Sequence, residues 1–371
     1  MSQHLRTAGR IAIVATFLAL LLLPMLQMST DLIPIEPLDE NRNRATLPSL
    51  ADLARPGTYL PALQKWFQEN YGLRDLLIRT KTQIDYSVFG VSDKVYIGDD
   101  GWLYYHSVID KEEPAFEGLS DAQQQAIIDN LARLRDFLAR RGIHLIIITN
   151  QMKDRFYPEH LPAIAAQARA RHRFDEFRHK LHALPGVTYL DTTDELLALK
   201  ASRQIFYRTD FHWTQPAAFE FARELVNDIA ALEQRPPLWH EELKTETRRF
   251  SGGQANFLPL FDPPSEEVDF VLPTRPAAPM TRETDKPPFE WISHAEPGAA
   301  DLLPTTILYG DSFCDAMLDI GLSDYFREFR RARLYRTTLP EVLANMPPDT
   351  RYFIFQAIEV SFGGFQTMPL E

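Results

Sequence analysis

Two short stretches carry side chains that could together form a nucleophilic centre. In the first, Gly310-Asp311-Ser312-Phe313 follows apolar Ile307 and Leu308. That pattern predicts a buried strand ending in a tight turn, with residues from Cys314 to Leu322 able to continue as a helix. A serine at a strand-to-helix turn has its hydroxyl at the carboxyl edge of a sheet, beside the backbone N–H groups of a helix start. Those groups can hold a developing oxyanion. Read alone, the stretch fits better an ordinary turn with Ser312 as a helix cap, since short Gly-Asp-Ser turns are common. The second stretch is Tyr207-Arg208-Thr209-Asp210-Phe211-His212-Trp213-Thr214. Residues two apart in an extended segment point to the same side, so Asp210 could orient the imidazole of His212 toward a cleft. A lone acid-x-His pair is also what a salt-bridged surface histidine looks like. Together the stretches supply what covalent catalysis by serine needs: Ser312 as nucleophile, His212 as base and Asp210 to fix its tautomer. Chain order is no objection, because this geometry arises in several orders on different folds. Asp311 is assigned to shaping the turn.

The elements that must position these residues alternate. Val95 to Gly98 and Trp102 to Tyr105 read as two short strands around the turn signal Asp99-Asp100-Gly101. Leu119-Ser120-Asp121 caps a helix running to about Arg141, with Ile127, Leu131, Leu134, Phe137 and Leu138 on one face. His144 to Thr149 is a continuous apolar run of the kind found in central parallel strands. Arg169 to Leu184 reads as a helix, Val187 to Leu190 as a strand and Pro216 to Leu232 as a helix. Two further strands are expected around 332–335 and 351–355. This is the pattern of an α/β fold with a mostly parallel sheet. Residues 233–304 break the rhythm with many prolines and read as an irregular insertion or lid, with one strand at 268–272. Leu60 to Phe89 reads as amphipathic helices packed on the main body.

The chain has 371 residues and a formal net charge of −12, which argues against a nucleic-acid binder. Its one cysteine, Cys314, excludes an internal disulfide and a Cys-rich zinc site. Residues 11–30 carry no charge and follow Arg6 and Arg10. Twenty such residues span a bilayer as a helix, and the basic flank should stay in the cytoplasm. The expected layout is therefore a cytoplasmic start (1–10), a transmembrane signal anchor (11–30), a linker with helices (31–94) and a main domain (95–371). A cleaved signal peptide competes with the anchor, but Pro24 to Met28 offers no small-x-small cleavage site.

Beyond the residues themselves, the chain resembles the alginate O-acetyltransferase branch of the SGNH hydrolase-like proteins. Glu40-Asn41-Arg42, Tyr71-Gly72-Leu73-Arg74, residues 98–104, Tyr157-Pro158-Glu159-His160-Leu161-Pro162, residues 208–214 and Gly310 to Phe313 carry the likeness. It implies a three-layer, flavodoxin-like α/β fold in permuted order, since common SGNH hydrolases place the serine first. It also implies a periplasmic enzyme, anchored in the bacterial inner membrane by a single helix. Such an enzyme moves an acetyl group through Ser312 to hydroxyls of an exported exopolysaccharide. In such systems a membrane-bound O-acyltransferase supplies the acetyl group. No cofactor and no metal are implied. The short run after Ser312 leads us to expect no appended carbohydrate-binding domain. Where the family has a small Gly-Asp-Leu-type motif, this chain has Ser251-Gly252-Gly253-Gln254-Ala255-Asn256. The second oxyanion donor is thus open among Gly252, Gly253, Asn256 and Asn150, beside the turn at Gly310.

Several other residues have two readings each. Arg208 and Tyr207 could bind an anionic sugar, or Arg208 could pair with an acid of the protein. Trp213 could stack on a sugar ring or pack behind His212. Gln151 and Lys153 follow a strand at the edge where ligands bind in open α/β sheets. Cys314 is a rival nucleophile or a buried small hydrophobe. His172, Glu176 and His179 fall on one helical face, either a metal triplet or a solvated surface. Two rival functions remain: a carbohydrate acetylesterase with the same triad, and a non-catalytic polysaccharide-binding or assembly subunit.

Overall fold

The computed structural model describes residues 3–38, 43–109, 119–165, 173–273 and 280–371. Glu40-Asn41-Arg42 and His172 lie outside the described residues. The chain divides into two compact units. The first comprises residues 1–92 together with 256–263. It contains α1 (Gln3–Thr30), α2 (Pro56–Asn70) and α3 (Arg74–Ile84). Within α1, Thr7–Thr30 is long and apolar enough to cross a membrane. Its last turns are built into this unit. The Gln27 side chain bonds both the N–H and the C=O of Ile33. A Cβ on Gly72 would fall 2.3 Å from the Pro24 carbonyl oxygen, so the helix and the 71–74 turn meet backbone to backbone. Arg79 of α3 donates to the Leu260 carbonyl at 3.0 Å, which ties the 256–263 segment to this unit.

The second unit begins with a hairpin, β1 (Val95–Ile97) and β2 (Leu103–Tyr105), and a single turn, α4 (His106–Ile109). Then follow α5 (Asp121–Ala139), β3 (His144–Asn150), a turn α6 (Lys153–Phe156), α7 (Arg173–His182), β4 (Val187–Asp191), α8 (Thr193–Lys200) and α9 (Gln215–Leu232). After β5 (Thr245–Phe250), β6 (Glu266–Val271), β7 (Met280–Lys286) and β8 (Phe289–Ala295) come β9 (Thr306–Gly310) and α10 (Phe313–Asp319). The chain ends in β10 (Glu328–Arg333), α11 (Leu339–Ala344) and β11 (Tyr352–Ile358), followed by a last turn. The main sheet has seven strands in the order β4-β3-β11-β9-β10-β8-β7. The first five are parallel, and β8 and β7 add antiparallel strands at one edge.

Side chains of the central strands alternate between two cores, as a doubly covered parallel sheet requires. Ile146, Ile148, Leu308 and Ile354 face α9 and α10. Leu145, Ile147, Ile307, Tyr309, Phe353 and Phe355 face α5, α7 and α11. This is the expected three-layer α/β arrangement. The start of α5 also follows the sequence: Ser120 and Gln123 form a reciprocal capping box.

Two expectations need correction. Residues 233–304 are not an irregular lid. They carry four strands, and β7 and β8 join the main sheet itself. β7 evades a hydrophobic pattern because it is the outermost strand and six of its seven residues are exposed. The strand expected at 332–335 is β10, which runs earlier and ends at Arg333. Tyr335 has φ +70, a left-handed conformation that no strand continues through.

Candidate active site

Parallel pairing brings the carboxyl ends of β3, β11 and β9 to one edge of the sheet, where Asn150 pairs with Ile358. Gly310 closes β9 at that edge. A Cβ there would lie 2.6 Å from Gln356 Oε1 and 2.8 Å from Cys314 Sγ, so only glycine fits. Gly310 therefore makes room for the turn, and its carbonyl accepts from Leu334 N–H at 2.9 Å. Asp311 is buried, and its carboxylate accepts from Phe313 N–H (2.9 Å), Ile358 N–H (2.7 Å) and Gln356 Nε2 (3.0 Å). Burial pushes its pKa up, against those three donors. It shapes the turn, as expected. Ser312 opens α10 with φ −69 and ψ −13, yet its hydroxyl caps nothing in the helix. It lies 2.8 Å from His212 Nε2 instead.

The Asp210–His212 pair is positioned differently from the expectation. The segment is not extended. An antiparallel bridge between Phe206 and Trp213 closes a tight loop, with Tyr207 N–H donating to the His212 carbonyl at 3.2 Å. Asp210 sits in that loop. Its Oδ1 accepts from the His212 backbone N–H (3.0 Å) and lies 2.6 Å from His212 Nδ1. A side chain that bonds the backbone two residues on is a turn former, so the turn and not strand alternation brings acid and base together. Oδ2 accepts from Gly253 N–H at 2.5 Å. Burial would raise the Asp210 carboxyl, but the imidazole and the two amides more than reverse this and hold its pKa at about 2. The acid is therefore ionised at neutral pH. An ionised acceptor keeps the imidazole proton on Nδ1 and leaves Nε2 to accept from the Ser312 hydroxyl. The ring is flanked by Phe211 (3.9 Å between centroids) and Phe313 (5.0 Å).

The remaining candidates separate. Trp213 is fully buried, and its indole donates to the Phe313 carbonyl at 2.9 Å. It packs and ties the 206–213 loop to the turn at Ser312, and offers no face to a sugar. Tyr207 is also buried, its ring against Phe250 at 4.3 Å. Arg208 donates to the Asp100 carbonyl at 3.4 Å. No acid pairs with its guanidinium among the described residues, and its Nε lacks a partner. Lys153 is not at a ligand-facing edge. It is 1% exposed, with its ammonium against four protein oxygens. Gln151 is buried on Thr193. The amides of Gly252 and Gly253 are committed to Thr209 Oγ1 and Asp210 Oδ2, which removes both glycines as oxyanion donors. Asn256 is exposed and opens the segment that belongs to the first unit. Asn150 is buried and accepts from Gln356 Nε2 at 2.6 Å, while its Nδ2 has no partner. Cys314 is fully buried against Gln356 Oε1, and burial followed by Asp311 drives its thiol pKa well up. Glu176 and His179 are exposed, and no metal-holding cluster occurs among the described residues. A cavity of about 560 Å³ between α8 and α9 is lined by Leu196, Phe221 and Glu224 and holds none of the triad.

Three residues at the site were not singled out from the sequence. Gln356 is buried and links Asn150, Asp311 and Cys314. A polar side chain inside the apolar run Phe353 to Ile358 is the signal that could have revealed it. Arg331 is buried and donates to the Asp311 carbonyl (3.0 Å) and to Asp315 (2.8 Å) of α10. Glu266, the first residue of β6, accepts from the backbone N–H groups of Arg208 (3.0 Å) and Thr209 (2.9 Å).

Comparison with known proteins agrees with this architecture. The family described as SGNH hydrolase-like domain, acetyltransferase AlgX, matches residues 95–286. That is more than half of the chain, and the chain belongs to this family. A protein named probable alginate O-acetylase AlgJ from Pseudomonas syringae pv. tomato is 30% identical over 213 residues, covering 55% of this chain and 51% of that protein. Its namesake from Pseudomonas aeruginosa is 29% identical over 274 residues, covering 72% of this chain and 64% of that protein. The chain thus spans about half the length of the first of these relatives. The structure of Bacillus cereus PatB1 matches with a TM-score of 0.53 at 13% identity, covering 75% of this chain and all of that one, which shows a shared fold.

Proposed function

We propose that this chain is a polysaccharide O-acetyltransferase working through a serine acyl-enzyme. The observation that carries the reading is the unbroken hydrogen-bond chain from Asp210 through His212 to Ser312. In this mechanism His212 Nε2 takes the hydroxyl proton as Ser312 Oγ attacks the acetyl carbonyl, and Asp210 stabilises the imidazolium. The oxyanion needs donors. The turn's other amides are occupied: Asp311 N–H by Gln356 Oε1, Phe313 N–H by the Asp311 carboxylate and Cys314 N–H by the Asp311 carbonyl. The N–H of Ser312 and the unpartnered Nδ2 of Asn150 are the donors this leaves, and we assign them that role. The imidazolium then returns its proton to the leaving group. A sugar hydroxyl, deprotonated by the same base, takes the acetyl group from Ser312. Arg208, whose guanidinium has no acid partner among the described residues, suits a carboxylate on the acceptor. The relatives named probable alginate O-acetylase favour alginate as the acceptor. In this reading a membrane-bound O-acyltransferase supplies the acetyl group. α1 anchors the protein in the inner membrane with the site in the periplasm, and the contacts that Pro24 and Gln27 make within the first unit favour an uncleaved helix.

The test uses an activated acetyl ester as donor and alginate oligosaccharides as acceptor. Wild type should accumulate acetyl on Ser312 and pass it to the sugar, and Ser312→Ala should lose about 10²-fold or more of the transfer rate. Transfer by Ser312→Ala at the wild-type rate removes the serine mechanism. Release of free acetate, undiminished by acceptor, would make the protein an esterase.

A further inference from the structure

The loop that carries Asp210 and His212 is held between two buried charges of opposite sign. On one side is Lys153, from the turn after β3. Its ammonium donates to the carbonyl oxygens of Tyr207 (3.1 Å), Arg208 (2.9 Å) and Asp210 (2.6 Å), and to Gln254 Oε1 (2.7 Å). On the other side is Glu266. One carboxylate oxygen accepts from Thr209 N–H (2.9 Å) and Thr209 Oγ1 (2.8 Å), the other from Arg208 N–H (3.0 Å) and Gln204 Nε2 (2.6 Å). The cation thus binds the carbonyls of the loop and the anion binds its amides. The segment between β5 and β6 completes the grip. Gly252 N–H donates to Thr209 Oγ1 at 3.0 Å, and a Cβ on Gly252 would fall 2.4 Å from the Asp210 Cβ.

We propose that Lys153 and Glu266 are positioning residues that fix Asp210 and His212 for Ser312 and set the basicity of the imidazole by their opposite charges. The proposal rests on the reading of Asp210, His212 and Ser312 as the reacting triad. Neither residue can reach a substrate, because each is buried with its polar atoms spent on the loop and on Gln254 or Gln204. A buried charge is an expensive way merely to fill space, and apolar side chains of similar size stabilise such positions as well or better. A single antiparallel bridge closes the loop, so its remaining carbonyls and amides need partners from outside. A cation at the Asp210 carbonyl also favours the Asp210 carboxylate and opposes a proton on the neighbouring imidazole. Glu266 acts in the opposite sense. Burial draws the Lys153 pKa down to about 7, with Asp210, Glu266 and Asp154 opposing. The rings of Trp102 and Tyr104 also face its ammonium, at 5.6 and 5.3 Å. The ammonium has three N–H groups for four oxygens, and losing a proton leaves only two. Around the imidazole the facing groups are Asp210, Ser312, the rings of Phe211 and Phe313 and, through the field, Asp311.

The experiment compares Lys153→Met and Glu266→Gln, both close in size to the original, in the full chain. Two readouts are taken: the kcat and KM of acetyl transfer across pH, and the titration of the His212 ring by NMR. Lys153→Met should lower kcat by about 10²-fold, the cost of a small misplacement. KM should stay within about threefold, because no substrate contact is lost. The acid limb of kcat/KM and the ring titration should move up by about one pH unit in Lys153→Met and down in Glu266→Gln. Opposite displacements are something a merely structural role would not produce. Two folded variants with no displacement, or with displacements in the same direction, overturn the proposal. If Lys153→Met does not fold, Glu266→Gln alone decides by its sign. If wild type shows no turnover dependent on Ser312, the transferase reading falls, and the ring titration still decides whether the two charges tune the imidazole.

Discussion

Replacing Asp210 by Asn is the sharpest test of the triad, because the substitution keeps the shape and leaves no satisfactory arrangement of donors. In the native loop Oδ1 accepts from His212 Nδ1 and N–H, and Oδ2 accepts from Gly253 N–H. An Asn amide has one acceptor oxygen and one donor nitrogen. If the nitrogen faces Gly253, two donors oppose each other and the loop loses a tie to the 251–255 segment. If it faces His212, it donates to Nδ1, the ring proton moves to Nε2, and Nε2 can no longer accept from Ser312. The second orientation removes the base, for which the loss in Ser-His-Asp enzymes is on the order of 10³–10⁴-fold in kcat. Stability falls as well. The Asp210 pKa is held at about 2 against an ordinary value of 3.8. That difference corresponds to about 2 kcal/mol in favour of the folded state at neutral pH. The sign follows from the depressed pKa: this stability is present above the unfolded value near 3.8 and is lost as pH falls toward 2. Denaturant midpoints of wild type and Asp210→Asn should therefore differ most at neutral pH and converge on acidification. Ser312 labelling by a fluorophosphonate should slow in parallel with transfer. Labelling and transfer at the wild-type rate in a folded Asp210→Asn protein would refute the assignment of Asp210 as the orienting acid.

Two other perturbations probe the nucleophile turn. Gly310→Ala puts a methyl group 2.6 Å from Gln356 Oε1 and 2.8 Å from Cys314 Sγ. It should destabilise the protein by about 1–3 kcal/mol and slow acylation, read by a melting curve and a Ser312 labelling rate. A native-like melt and normal labelling would mean the turn has slack that the geometry denies. Cys314 should resist iodoacetamide in the folded protein, with transfer activity retained after treatment, because its thiol is fully buried and its pKa is driven well up. Rapid alkylation with loss of activity would restore it as a rival nucleophile.

How much of this was legible in the sequence depends on what kind of atom does the holding. The central strands were readable because burial on both faces demands apolar runs, as at Leu145 to Ile148 and Phe353 to Phe355. β7 was not, because an outermost strand with six exposed residues imposes almost no pattern on its side chains. The chemistry divides the same way. In the proposed mechanism Ser312, His212 and Asp210 act through side-chain atoms, so their residue types have to be present and can be matched. The loop that aligns them is held mainly through backbone carbonyls and amides, by Lys153, Glu266, Gly252 and Gly253, and a backbone group leaves no letter in the sequence. Lys153 therefore reads as a candidate ligand contact from its place after β3, and residues 233–304 as an irregular insertion or lid. Gly252 and Gly253 stand among the oxyanion candidates for the same reason, since a glycine amide is visible in sequence while the acceptor it serves is not. In the proposed mechanism residues 252–254 and Glu266 support catalysis, because they supply two amides and two side chains to the loop that carries Asp210 and His212. In a chain with these triad letters but a different stretch between α9 and β9, the same three residues would lose the partners that hold Asp210 to His212.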